Sequence, residues 1–113
     1  MPPVNPTEGH MRQALPKKVV LLASRPYTDS DAPMLLALIR RPIALFCAAG
    51  VDCTGWEDAF DWLLTDPLAE GSPHISTTSH PEERLAEVMA FAGAWPIDET
   101  NSVELIEVHA QVK

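Results

Sequence analysis

Three times along this 113-residue chain an apolar run stops, a short polar stretch follows, and an amphipathic helix pattern begins. The exits are Ser24-Arg25-Pro26-Tyr27, Gly50-Val51-Asp52-Cys53 and Thr77-Thr78-Ser79-His80. A last run, Val103 to Val108, ends the series. The runs are too short for helices, and Val and Ile favour extended structure. The intervening segments place apolar residues at helical spacing. The order is therefore β-α-β-α-β-α-β. It predicts one small three-layer α/β domain: a four-stranded, mainly parallel sheet with helices on both faces and right-handed crossovers. In such a sheet all the strand exits share one edge, where α/β proteins usually bind ligands.

The four expected strands differ in character. Val19-Val20-Leu21-Leu22-Ala23 and Ile43 to Ala48 are apolar throughout, as strands covered on both faces are. His74 to Ser79 is polar, and Val103-Glu104-Leu105-Ile106-Glu107-Val108 has the mixed pattern of an edge. The favoured spatial order is 2-1-3-4, a reduced flavodoxin-like sheet. The alternative is 3-2-1-4, which puts the polar third strand on an edge. An antiparallel last strand is a further option.

Helix signals lie between the strands. Ser30 or Asp31 can cap the first helix, with Pro33 in its first turn. Met34 to Ile39 is apolar on every face, and Arg40 and Arg41 complement the dipole at its end. Thr54-Gly55-Trp56-Glu57 reads as a capping box for the second helix. Trp56, Ala59, Phe60, Leu63 and Leu64 share one face of it, and Glu57, Asp58 and Asp61 the other. Ser79 caps the third, whose stripe is Leu85, Val88, Met89, Ala92 and Trp95. Residues 1–17, with Pro2, Pro3, Pro6 and Pro16, read as a flexible arm before a domain spanning 18–113. Gly9-His10-Met11 looks like the end of an added tag.

Charge is distributed unevenly. Residues 1–50 carry six basic and three acidic side chains, whereas residues 51–113 carry two basic and thirteen acidic ones. The acidic half repels phosphate backbones, so nucleic acid is not an expected partner, and a basic protein is. No run approaches the roughly 18 apolar residues of a membrane span. With no secretory pattern at its start and no disulfide framework, the chain is expected in the cytoplasm. Its style of composition is bacterial.

Motif chemistry is sparse. Gly50-Val51-Asp52-Cys53-Thr54-Gly55 has the glycine spacing of a phosphate loop. Trp56 and Glu57 stand where phosphate chemistry needs Lys and Ser or Thr, so the loop is a strand-to-helix turn. Ser79 and His80, with Asp52 or Glu57 to orient the imidazole, form the best catalytic-looking set. Neighbours on a strand point to opposite faces, however, and there is no G-x-S-x-G elbow. Asp52, Glu57, His80 and His109 are possible metal ligands without metal-site spacing, so no metal and no cofactor are expected. Cys47 reads as a buried small hydrophobe. At Cys53 the helix dipole and the nearby acids Asp52 and Glu57 offset each other, leaving an ordinary thiol. Trp56 and Trp95 fall on core faces. Trp62, beside Asp58 and Asp66, reads equally as an interface anchor or as cover for the helix edge.

Leu45-Phe46-Cys47-Ala48, then Asp52-Cys53-Trp56-Glu57 and Asp61-Trp62-Leu63, and finally Thr77-Thr78-Ser79-His80-Pro81 are similar to blocks in small bacterial α/β domains of unknown function. The resemblance covers about residues 18–108 and implies no activity or catalytic residue. Two functions follow from the residues. One is a non-enzymatic interaction module, such as an immunity-type inhibitor or accessory factor, acting through Trp62, Asp58 and Asp61. The other is a small-molecule site or hydrolase-like enzyme at the strand-exit edge, built from Arg25, Tyr27, Asp52, Glu57, Ser79 and His80. A homodimer through a strand edge or Trp62 is a third possibility.

Overall fold

The computed structural model describes residues 16–41, 43–65, 75–96 and 102–109. Most of the Pro-rich arm, Pro42 and His74 lie outside them. Strands β1 (Lys18–Ala23), β2 (Leu45–Gly50), β3 (Ser76–His80) and β4 (Val103–Val108) alternate with helices α1 (Ala32–Arg40), α2 (Cys53–Leu63) and α3 (Leu85–Ala94). The sheet is parallel throughout, including β4, and its order is β3-β2-β1-β4.

This is the 3-2-1-4 arrangement and not the favoured 2-1-3-4. The reason is the polarity of β3. Order 2-1-3-4 would set β3 between two strands and bury Ser76, Thr77, Thr78 and Ser79 across both faces. Each buried hydroxyl without a partner costs about 1–3 kcal/mol. At the edge these four residues stay half-exposed. The central strands take the fully covered positions instead, with Val19, Val20, Leu21, Leu45, Phe46, Cys47 and Ala48 all at zero exposure.

The order also fixes the layers. β1 to β2 to β3 advances in one direction, so right-handed crossovers put α1 and α2 on the same face. The step from β3 to β4 runs back past β2 and β1, which moves α3 to the opposite face. Two separate cores result. Val19, Leu21, Ala23, Phe46 and Ala48 pack with Leu35, Ile39, Trp56 and Phe60 on the first face. The Phe46 and Phe60 rings stack there with centroids 4.1 Å apart. Val20, Leu45, Cys47 and Ala49 pack with Val88 and Ala92 of α3 on the second.

Element boundaries differ from expectation where side chains act otherwise than as caps. β2 begins two residues late, because Ile43 sits in the first core ahead of the ladder. α1 follows a 3-10 turn at Asp29–Asp31, and only Leu35, Leu38 and Ile39 of it are buried, so it is covered on one face rather than all round. The Thr54 capping box does not form. Asp52 precedes α2 in the left-handed region at φ 56°, and the helix starts at Cys53 with Thr54 exposed inside it. Ser79 is not a helix cap and His80 is not a loop residue: both belong to β3. Arg84 stands ahead of α3, and its N–H donates to Glu87 at 2.9 Å.

Gly50 ends β2 at φ +89°, and a Cβ there would run into the Ala23 carbonyl oxygen. Gly93 in α3 has open space beside it. Gly50→Ala should therefore lose between about 1 and 3 kcal/mol of stability in chemical denaturation. Gly93→Ala should gain up to ~1 kcal/mol, as removal of a helix glycine does.

Candidate functional site

The β1 and β2 exits meet over Trp56. This residue sits one turn into α2, on the apolar face that the helical spacing assigned to it, and is fully buried. Its indole N–H reaches the Arg25 carbonyl at 3.0 Å, and Tyr27 meets its ring edge-on at 5.3 Å. The Arg25 guanidinium lies 5.6 Å from the same ring and forms a two-pronged pair with Asp31, at 2.9 and 2.7 Å. Asp31 also accepts the Thr28 backbone N–H at 2.9 Å. Asp52 accepts the Tyr27 backbone N–H at 3.2 Å, and its carboxylate fills the space a Cβ at Gly55 would need.

The electrostatics follow from these contacts. Hydrogen bonds from Arg25, reinforced by Thr28, hold the Asp31 carboxyl down to about 2. The bond to Asp31 raises Arg25 in turn. Partial burial, followed by the nearby acids Asp29 and Asp31, raises the Tyr27 phenol. Arg25, Tyr27 and Asp52 thus come together, but each charge already has a partner within the protein. The cluster acts as a clamp joining the β1 exit to α2.

The other strand-exit residues lie elsewhere. Glu57 accepts the Thr77 hydroxyl at 3.2 Å, and Asp61 accepts it at 2.8 Å, so both acids lean from α2 over β3. Ser79 shares the sheet face of Thr77, whereas His80 projects to the opposite face, beside Phe91 of α3 at 4.9 Å. Ser79 and His80 are therefore not paired. His80 pairs instead with Thr78, two residues back on the same face, through Nε2 and the hydroxyl at 2.8 Å. Its Nδ1 bonds the Glu83 carboxylate.

Thr78 lies abreast of Cys47 in the β2–β3 register, and burial pushes the Cys47 thiol up. One proton arrangement uses each donor once: the Thr78 hydroxyl donates to Nε2, and Nδ1–H to Glu83. Chemically this has the connectivity of a hydroxyl, a base and an orienting acid. Residue spacing alone points to Thr78, since residues two apart share a strand face. Glu83 carries no such signal, because its approach depends on the turn after β3.

The remaining candidates lie on the solvent face of α2. Asp58, Asp61 and Trp62 are exposed there, Trp62 at 74%. Among the described residues no three His, Cys, Asp or Glu side chains are grouped to hold a metal ion. His80 and His109 could not share one, since β3 and β4 are the two opposite edges of the sheet. Three inter-strand spacings separate them, roughly 14 Å. Among the described residues no helix is long and apolar enough to cross a membrane.

A family profile described as a domain of unknown function (DUF7684) matches residues 3–111. The match takes in Gly9-His10-Met11. No curated protein and no solved structure matches the chain.

Asp31 gives the clamp a pH signature. A carboxyl lowered in the folded state contributes stability above its unfolded pKa near 4, and loses it as pH falls through about 2. Asp31→Asn should remove on the order of 1 kcal/mol at neutral pH, after solvent screening, and flatten the acid limb of the stability profile between those values. Denaturant melts across this range read both effects.

Proposed function

We propose that this chain, which belongs to the DUF7684 family of unknown function, is a non-enzymatic interaction module that binds a basic protein partner through the solvent face of α2. One observation carries the reading: Trp62 stands 74% exposed with Asp58 and Asp61, both exposed, beside it. Covering such a ring on a partner is worth on the order of 2–3 kcal/mol. Acids around it speed the approach of a positive surface more than they add affinity. The net charge of −8 suits that partner and opposes nucleic acid and anionic membranes. Cys47 and Cys53, both buried and unpaired with each other, are compatible with action in the reducing cytoplasm. An inhibitor or accessory factor fits these properties.

Capture from extracts of the source cells tests the reading. The wild-type chain should retain a stoichiometric basic partner at low salt and release it at high salt. Trp62→Ala should weaken capture by about 30-fold, and reversing Asp58 and Asp61 to Lys should abolish it. Absence of a stoichiometric partner, or retention by all variants, contradicts the reading.

The Thr78–His80–Glu83 arrangement favours a second, hydrolase-like reading. The Thr78 hydroxyl would attack an acyl carbon, its proton passing to Nε2 and then to the leaving oxygen. Water would then release the acyl group by the same route. Turnover of p-nitrophenyl acetate that is lost in Thr78→Val and His80→Gln but kept in Ser79→Ala supports it. Turnover no greater in the wild type than in Thr78→Val leaves the arrangement a structural network.

A further inference from the structure

We infer that the basic partner is captured as an added strand on the outer edge of β3; this rests on the interaction reading above and names the form the partner takes. The Ser76 N–H donates to Ala44 on the β2 side at 3.0 Å. Along a strand the N–H and C=O of one residue point to one side, and the next residue's point to the other. Ser76, Thr78 and His80 therefore bond to β2, in register with Leu45, Cys47 and Ala49. Thr77 and Ser79 turn both backbone groups outward, where the described residues supply no further strand.

The two edges of the sheet are finished differently. β4 carries Glu104, paired with Arg41 at 2.9 Å, and the exposed Glu107. Charged side chains of this kind discourage edge pairing. The five residues of β3 include no acid, lysine, arginine or proline. Its edge is chemically receptive, and selectivity comes from α2 above it.

Residues abreast of each other on neighbouring strands point to the same face. A segment pairing with Thr77 and Ser79 would therefore direct alternate side chains toward α2. Glu57 and Asp61 wait there, already leaning over Thr77 at 3.2 and 2.8 Å. Lys or Arg at every second position matches them, and Trp62 next to Asp61 offers a ring to a guanidinium. A second copy of this chain is a poor occupant of the same edge, because it brings its own Glu57 and Asp61 to the seam.

The probe is a short synthetic peptide alternating arginine and threonine, compared with one of the same composition whose arginines form one block. Ser79→Pro removes an outward N–H and leaves the β2 ladder intact, as edge proline does. The alternating peptide should bind the wild type at least about tenfold more tightly than the block peptide, and Ser79→Pro should weaken it by a similar factor. A version N-methylated at alternate residues should not bind, which keeps the test decisive even if Ser79→Pro fails to fold. Equal binding of alternating, block and N-methylated peptides overturns strand addition. Interaction through the α2 face then still stands, provided Trp62→Ala reduces capture of the partner from extracts. Capture of no partner overturns both readings.

Discussion

β1 and β2 are apolar on both faces, and the architecture depends on keeping them covered. Ten of their twelve residues are buried. Such strands are stable only between other strands and between helix layers. That requirement sets them in the centre of the sheet and calls for helices on both faces. It leaves the edges to the strands that tolerate water. β3, rich in hydroxyls, and β4, with two glutamates, take those places.

The consequences run outward from this pair. Where β1 and β2 end, Trp56 links the β1 exit to α2, and the Arg25–Asp31 pair covers its ring. Under α3, the inward face of β3 is made tolerable by the chain from Thr78 through His80 to Glu83. Among the described residues no buried side-chain polar atom lacks a hydrogen-bond partner. The polar groups at the strand exits are thus largely committed to one another. Among the described residues no further strand pairs with the outer edge of β3, and Asp58, Asp61 and Trp62 on the neighbouring face of α2 are exposed.

Much of this is legible in the residues. Alternating apolar runs and helical stripes determine the parallel sheet and the second-helix face of Trp56 and Phe60. Strand order is less legible, because periodicity identifies strands but not neighbours. The polarity of His74 to Ser79 is the clue that selects 3-2-1-4. Helix starts are missed where a side chain has a stronger bond elsewhere. Glu57 reaches Thr77 rather than its own helix N-terminus. Ser79 lies in β3, and the next helix begins only at Leu85. Lys18 is fully buried, with its amine on the Gly93 carbonyl at 3.1 Å. A long stem passing under a helix end cannot be read from local sequence.

The proposed site therefore lies on the side of the sheet rather than at the ends of the strands. Its central requirement is that the β3 edge be open in the free protein and closed by a basic partner. Residue-resolved amide hydrogen exchange across β3 measures this directly. Thr78 and His80 should be protected by β2 in the free protein, while Thr77 and Ser79 exchange rapidly and become protected when the alternating arginine–threonine peptide is added. Equal protection of all four amides in the free protein, or no change at Thr77 and Ser79 on binding, would contradict the account.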